Sequence, residues 1–444
     1  MKGRGNGGIE RVNITLRGIK RIRGRMVFPG DKSVSHRALI LGSIASGESI
    51  IGNVSSGRDV ITTEKILTGI GVNMKSRDGK LIISGVGLEG FEALLRDKTF
   101  DLNCENSGTT ARLMMGLMAG AGGSAVFMGD ESLSRRPMNR VVEPLNRMGA
   151  KISSKDGTLP VILKSSKLRG IKYEIPVPSA QVKSALILAS LFLNEKSVFI
   201  EKFLTRDHTE RMLEIMRADI AQNWNNGEKV IEVGPRKELE PVSFDVPGDL
   251  SSAIYFIVAS LILPDSEFVA EGVLLNPTRE HILEVLKRMG AEIEVEKLGD
   301  SPEPSGNVRS KSSSLKGIEI PGEEVPLIID EIPILAVAGF FAEGVTKISG
   351  AVELRFKESD RIKTVVSMLN AFGGEVEEYA DGFKIKGPNV PCGCEIDTNG
   401  DHRIVMASSI MALATDGEVI IKNADAASIS FPGFYQSVEK LTFY

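Results

Sequence analysis

Pro29-Gly30-Asp31-Lys32-Ser33-Val34-Ser35-His36-Arg37 runs into Ala38-Leu39-Ile40-Leu41-Gly42-Ser43-Ile44-Ala45 and then into a β-like run over 48–53. This succession decides the fold because the chain repeats it. Small-residue-rich apolar segments of helical length begin near His36, Thr110, Gln181, Ser251, Ile332 and Arg403. Short β-like runs follow them at 48–53, 124–129, 197–201, 266–272, 345–350 and 418–423. An amphipathic helix usually comes next and closes on a turn such as Ile70-Gly71-Val72, Met148-Gly149-Ala150, Met289-Gly290-Ala291 or Phe372-Gly373-Gly374. Self-similarity at a fixed period marks supersecondary units that share a core. A period of roughly 70–80 residues is too long for an ordinary solenoid and points to a few larger α/β modules.

The apolar segments at 38–45, 113–119, 185–193, 253–263, 334–341 and 404–414 are apolar most of the way round, so their helices should be buried on most sides. The amphipathic helices differ: Ile362, Val365, Val366 and Leu369 share one face, as for a helix lying on a sheet. At 444 residues the chain can build two sizeable cores. Three units per domain divide it near Val246-Pro247-Gly248, giving a first domain over 30–247 and a discontinuous second domain of 1–29 plus 248–444. The N-terminal strand is expected to cross over and complete the second domain. The Ser-, Pro- and Gly-rich stretch 297–317 reads as a polar loop between two strands, with no role of its own.

A net charge of −4 argues against a general nucleic-acid binder. Basic residues cluster between Lys2 and Arg25, but Val12, Ile14, Leu16, Ile19, Ile22 and Met26 interleave with them as in a strand with a solvated face. No apolar region of a secretory signal follows the basic start, and the apolar helices are too short or interrupted to span a bilayer. Cys104, Cys392 and Cys394 cannot form a disulfide framework, and Cys392-Gly393-Cys394 lacks a second ligand pair for zinc. No P-loop, strand–GxGxxG–helix, GxSxG or HExxH pattern occurs, and the four histidines are scattered. The expectation is a cytoplasmic soluble protein without metal or cofactor.

The chemistry concentrates where the buried helices start, since a helix N-terminus offers unpaired N–H groups and a positive dipole end. The starts include Asn106-Ser107-Gly108-Thr109-Thr110-Ala111-Arg112, Ser179-Ala180-Gln181, Asp249-Leu250-Ser251-Ser252, Asp330-Glu331 and Asn399-Gly400-Asp401-His402-Arg403. Each taken singly is explained by capping. Three of the six, with Arg37, Arg112 and Arg403, nevertheless place an Arg inside the first turns, against the helix dipole, and something anionic should compensate. The amphipathic helices add Gly57-Arg58-Asp59, Arg135-Arg136-Pro137, Thr205-Arg206-Asp207, Thr278-Arg279-Glu280 and Asp360-Arg361. Arg58 and Arg279 read as surface salt-bridging residues. Lys357, Glu358 and Arg361, spaced to share a helix face, could hold a phosphate beside a proton donor or acceptor. A solvated face would show the same spacing. A ligand with several anionic groups would use this many cations.

These motifs, in this order and over nearly the whole chain, resemble the 5-enolpyruvylshikimate-3-phosphate synthase family. The carriers are Pro29 to Arg37, Asn106 to Thr109 with Arg112, Arg136-Pro137, Ser179 to Gln181, Arg206-Asp207-His208-Thr209, Lys357 to Arg361 and Asp401-His402-Arg403. The resemblance implies an α/β fold of two globular domains, each of three βαβαββ units in an inside-out barrel, with the active site in the interdomain cleft. It implies transfer of the enolpyruvyl group of phosphoenolpyruvate to the 5-hydroxyl of shikimate 3-phosphate, with release of phosphate. Lys32, Ser33, Arg37, Ser179, Ala180, Gln181, Arg206, Asp330 and Lys357 would then hold shikimate 3-phosphate. Lys32, Gly108, Arg136, Gln181, Arg361 and Arg403 would hold phosphoenolpyruvate. Asp330 is assigned as base toward the hydroxyl, and Glu358 with Lys32 as proton donor and electrostatic partners.

Two positions depart from the family pattern. Ala180 replaces a second Ser of many members, and Ile429 stands where many carry a Lys before the stretch Ser430-Phe431-Pro432. One phosphoenolpyruvate contact is then lost, or another cation supplies it. Gly108 is retained, which implies inhibition by glyphosate. A monomer without nucleic-acid or membrane partners is expected. The rival within the fold, transfer to UDP-N-acetylglucosamine, usually presents a Cys over the site, and 129–136 contains none. A non-catalytic polyanion-binding scaffold would have no use for Asp330 and Glu358.

Overall fold

The computed structural model describes residues 12–443. Residues 1–11, with Lys2, Arg4 and Arg11 of the basic stretch, lie outside the described residues. Three sheets carry a complete strand–helix–strand–helix–strand–strand unit each, as in Thr99–Asn103, Gly108–Gly120, Ser124–Met128, Asn139–Arg147, Lys151–Ser154 and Val161–Lys164. The first two strands of that unit pair in parallel around the buried helix, and the last two add on antiparallel. The same order recurs from Lys172–Ile175 to Glu228–Val233 and from Glu319–Ile320 to Gly382–Gly387.

The other three units borrow strands from distant sequence. Ser243–Asp245 pairs in parallel with Ser46–Gly52, so the end of the third unit supplies the first strand of the first. The N-terminal segment forms two strands where one was expected. Arg21–Val27 pairs in parallel with Glu267–Leu274, and Ile14–Leu16 lies antiparallel to Val419–Lys422 in a separate sheet. The stretch 297–317 is not all loop either: Ser305–Lys311 is a strand paired with both Glu292–Gly299 and Glu267–Leu274.

Buried apolar side chains gather in two clusters. One is drawn almost wholly from Val34 to Val246, the other from Ile22, Phe28 and residues between Leu250 and Leu441. Lys32–Ser43, Gly108–Gly120 and Ala180–Ser190 run through the first, and Leu250–Ile262, Ile332–Phe341 and His402–Leu413 through the second. Their small residues allow close helix contact. A Cβ on Gly116 would sit 2.1 Å from the Ala185 carbonyl oxygen, so only glycine permits that approach.

The chain passes between the clusters at Pro29-Gly30-Asp31 and again at Pro247-Gly248-Asp249. These two crossings are hydrogen-bonded together: Asp31 N donates to Pro247 O at 2.8 Å and Asp249 N to Pro29 O at 2.9 Å. Arg279 braces the same place. It is buried, lies 3.2 Å from Asp31 and 3.5 Å from Asp249, and donates to Ser251 Oγ. The surface role expected for Arg279 is therefore replaced by a structural one at the crossings.

Candidate active site

Five of the six buried helices are capped by a side chain. Asp31, Ser107, Ser179, Asp249 and Asp401 accept from the N–H groups of Val34, Thr110, Val182, Ser251 and Arg403. Capping therefore operates together with whatever else these sequences do. The helix starts also carry side chains that the sequence singled out as site candidates. Lys32 is the first residue of its helix, and its Nζ donates to Asp59 Oδ2 at 3.0 Å. Arg37 follows on the next turn with every nitrogen engaged. Its Nη1 donates to Ser33 O at 2.9 Å, its Nε to Thr209 Oγ1 and its Nη2 to Ser184 Oγ, both at 2.7 Å. Burial lowers its pKa to about 10.

Ser179 caps the Ala180–Ser190 helix, and Gln181 projects from its first turn. Gln181 Oε1 accepts from Arg112 Nη1 at 2.7 Å, and its Nε2 donates to Thr109 Oγ1 at 2.9 Å. Arg112 was quoted in the sequence motif but not assigned to the site. It tethers Gln181 to the Pro137 carbonyl, which accepts from Arg112 Nη2 at 3.0 Å. A Cβ on Gly108 would lie 2.8 Å from Arg112 Nη1 and 3.1 Å from Arg136 Nη1, so the glycine leaves room beneath two guanidinium groups.

From the second cluster come Asp330, just before the Ile332–Phe341 helix, and the Lys357–Asp360 loop preceding Arg361–Ala371. Lys357, Glu358 and Arg361 do meet, but through this loop, not as neighbours on one helical face. Arg361 is the hub and is 1% exposed. Its Nη2 donates to Glu358 Oε2 at 2.6 Å, its Nε to Asp401 Oδ2 at 2.9 Å and its Nη1 to Asp330 Oδ1 at 3.3 Å. Lys357 Nζ also donates to Asp330 Oδ1, at 3.3 Å. Arg403 Nη1 donates to the Ser251 carbonyl at 2.8 Å.

Cations of the first cluster reach these carboxylates across the gap. Arg206 Nη2 donates to Asp330 Oδ2 at 2.6 Å, and Arg136 Nη2 lies 2.8 Å from Glu358 Oε1. Arg140 clasps Glu353 with two nitrogens at 2.5 and 2.9 Å, a pair the sequence did not suggest. The Nε atoms of Arg136 and Arg403 are buried without a hydrogen-bond acceptor among the described residues, and Arg136 Nη2 has only the ion-pair contact to Glu358. Arg136 lines a cavity of about 1080 Å³ together with Arg58, Lys357, Glu358, Asn399 and Ile429, whereas Arg403 does not reach it. Arg58 is exposed there and forms no ion pair among the described residues, unlike the surface bridge expected of it.

The electrostatics follow from this crowding. Burial pushes the Asp330 carboxyl up, but Lys357, Arg206, Arg403 and Arg361 outweigh it and hold the pKa well below the usual value. Glu358 is likewise raised by burial and lowered much further, first by Arg136 and then by Arg361. Burial, assisted by Arg403, brings His402 down to about 3, which leaves the imidazole neutral. As arranged, both carboxylates are ionised, so Glu358 cannot donate a proton until its cations are drawn away. Depressed carboxylate pKa values stabilise the fold above the unfolded-state values of 3.8 and 4.5, and that contribution is lost as pH falls below them. Urea unfolding midpoints should accordingly drop between pH 5 and pH 3, and Asp330→Asn should shrink the drop.

Two clusters of buried helices, with cations and two carboxylates facing one gap, define the class of enolpyruvyl-transferase folds. The enolpyruvyl transferase NikO from Streptomyces tendae shares this fold, with TM-score 0.75 over 97% of each chain at 17% identity. A solved EPSP synthase from Acinetobacter baumannii is more similar, with TM-score 0.84 and 37% identity over 97% of this chain and 98% of that one. The family model for EPSP synthase (3-phosphoshikimate 1-carboxyvinyltransferase) matches residues 16–438. The 3-phosphoshikimate 1-carboxyvinyltransferase of Caldicellulosiruptor saccharolyticus is 44% identical over 431 residues, 96% of this chain and 98% of the relative. The chain belongs to the EPSP synthase family.

Proposed function

We propose that the gap between the two clusters is the active site in which phosphoenolpyruvate gives its enolpyruvyl group to the 5-hydroxyl of shikimate 3-phosphate, with release of phosphate. The observation that carries this reading is the pair of buried guanidinium Nε–H groups, one on Arg136 and one on Arg403, from the two halves of the chain, that no described residue accepts. Two substrates carrying phosphates and carboxylates match such donors in charge and geometry. Ser33, Arg37, Ser179, Ala180, Gln181, Arg206 and Lys357 hold shikimate 3-phosphate. Gly108, Arg136, Arg361 and Arg403 hold phosphoenolpyruvate, and Lys32 and Gln181 reach both.

Asp330 takes the proton of the attacking hydroxyl, and Glu358 with Lys32 serves protonation of the methylene carbon. The ion pairs supply a reason why neither acts early. Substrate anions compete with Asp330 for Arg206 and Lys357, and with Glu358 for Arg136. Each carboxylate that loses a cation rises in pKa toward the range where it can exchange a proton. Acid–base competence is in this way tied to occupancy.

The chain divides into a domain over 30–247 and one of 1–29 plus 248–444, hinged at the two paired crossings and closing over the substrates to exclude water. It works as a cytoplasmic monomer. Among the described residues no helix is long and apolar enough to cross a membrane. Phosphate release measured in parallel with shikimate 3-phosphate and with UDP-N-acetylglucosamine as acceptor tests the reading. Release with the first alone is expected, and release with the second alone would overturn it. Glyphosate should inhibit in competition with phosphoenolpyruvate, since Gly108 leaves space beneath Arg112 and Arg136. Turnover untouched by millimolar glyphosate would count against that placement.

A further inference from the structure

We propose that Glu303 is a positioning residue for the reaction: from the second cluster it fixes, through His208 and Asp207, the segment that aims Arg206 at the site. This rests on the reading of Arg206 as a ligand of shikimate 3-phosphate. Glu303 lies at the turn between the Glu292–Gly299 and Ser305–Lys311 strands, in a stretch whose sequence suggests only a tolerated loop. Yet the side chain is 3% exposed and both its oxygens are engaged. Its Oε1 accepts from His208 Nδ1 and its Oε2 from Asn276 Nδ2, each at 2.8 Å. Asn276 Nδ2 also donates to Asp207 Oδ1 at 2.7 Å. The amide cannot flip, because Asn276 Oδ1 accepts from Thr278 N at 2.8 Å and from Thr278 Oγ1 at 2.6 Å.

Four consecutive residues of the first cluster thus have four separate tasks. Arg206 reaches Asp330, Asp207 and His208 dock on Asn276 and Glu303, and Thr209 accepts from Arg37 Nε. A buried carboxylate with both oxygens bonded, one of them to His208 of the other half, is costly to expose or leave unpaired. The dock therefore forms as a unit when the clusters come together, and it sets the backbone from which both Arg206 and the Arg37 acceptor project. Removing the charge of Glu303 while keeping its shape either sets an amide NH₂ against the Asn276 NH₂ or forces the His208 proton onto Nε2, which has no acceptor among the described residues.

The test is a double-mutant cycle on the full chain, with steady-state KM measured for both substrates in wild type, Glu303→Gln, Arg206→Ala and the double variant. Glu303→Gln should raise KM for shikimate 3-phosphate about tenfold and leave KM for phosphoenolpyruvate within about twofold. In the Arg206→Ala background the same change should have a much smaller effect, because the main group it positions is gone and only the Arg37 acceptor remains. Equal effects in both backgrounds, or no change with Glu303→Gln alone, would overturn the proposal. An unchanged shikimate 3-phosphate KM in Arg206→Ala would instead overturn the reading of Arg206 itself. If Glu303→Gln does not fold, Asn276→Ala takes its place in the cycle with the same expectations.

Discussion

Asp330→Asn should lower kcat by about 10²–10⁴-fold, the usual contribution of a positioned acid–base group, while shikimate 3-phosphate still binds. The substitution keeps the shape of the side chain and removes its charge and basicity. Arg206, Lys357 and Arg361 lose a shared anion at 2.6 to 3.3 Å, so they become more available to a phosphate, not less. Affinity for shikimate 3-phosphate, measured calorimetrically, should be retained or improved. Turnover followed by phosphate release should collapse. This split separates a proton-transfer role from a structural one, which would weaken binding and turnover together. Unchanged turnover in a folded Asp330→Asn variant would remove the base from the mechanism.

Arg361→Met should be the most damaging single change to the fold. Three carboxylates, Glu358, Asp401 and Asp330, converge on one guanidinium that is 1% exposed. Burial disfavours that charge, but Asp401 and Glu358 more than offset it and raise the pKa of Arg361 above its ordinary value. Deleting one partner of such a buried cluster leaves uncompensated charge and costs about 3–5 kcal/mol. The loss should appear as an earlier urea transition, with turnover falling well before unfolding begins. Arg361→Lys keeps the charge but not the planar fork, and should fall between the two. Equal unfolding midpoints for wild type and Arg361→Met would show that the cluster is not coupled as described.

The buried helices were legible because a run such as Leu250–Ile262, apolar on every side, has few other places to go than a core. The strand exchanges were not. Ser243–Asp245 is three residues long, and only its partner, Ile50 to Gly52, gives it a structural identity. The Ser305–Lys311 strand was hidden for a different reason: of its inward positions Gly306, Val308 and Ser310 only Val308 is hydrophobic, which is too little for an alternating pattern to show.

At the candidate site, motif and chemistry singled out the cations, but their pairing depends on how the two clusters face each other. Arg58 and Arg279 occupy equivalent places before amphipathic helices. One is exposed at the cavity and the other is buried against Asp31, a difference made by tertiary packing alone. Glu303 gave no signal at all, since a single Glu among Ser, Pro and Gly looks like any solvated loop.

The central claim is that cations from both halves of the chain converge on small polyanions in one gap. A crystal structure of the protein with shikimate 3-phosphate and either phosphoenolpyruvate or glyphosate tests it directly. The account predicts anionic groups within hydrogen-bonding distance of Arg206 and Lys357 on one side and of Arg136 and Arg403 on the other, with Asp330 facing the 5-hydroxyl. Either ligand bound outside this gap, or held by residues of one half only, would contradict it.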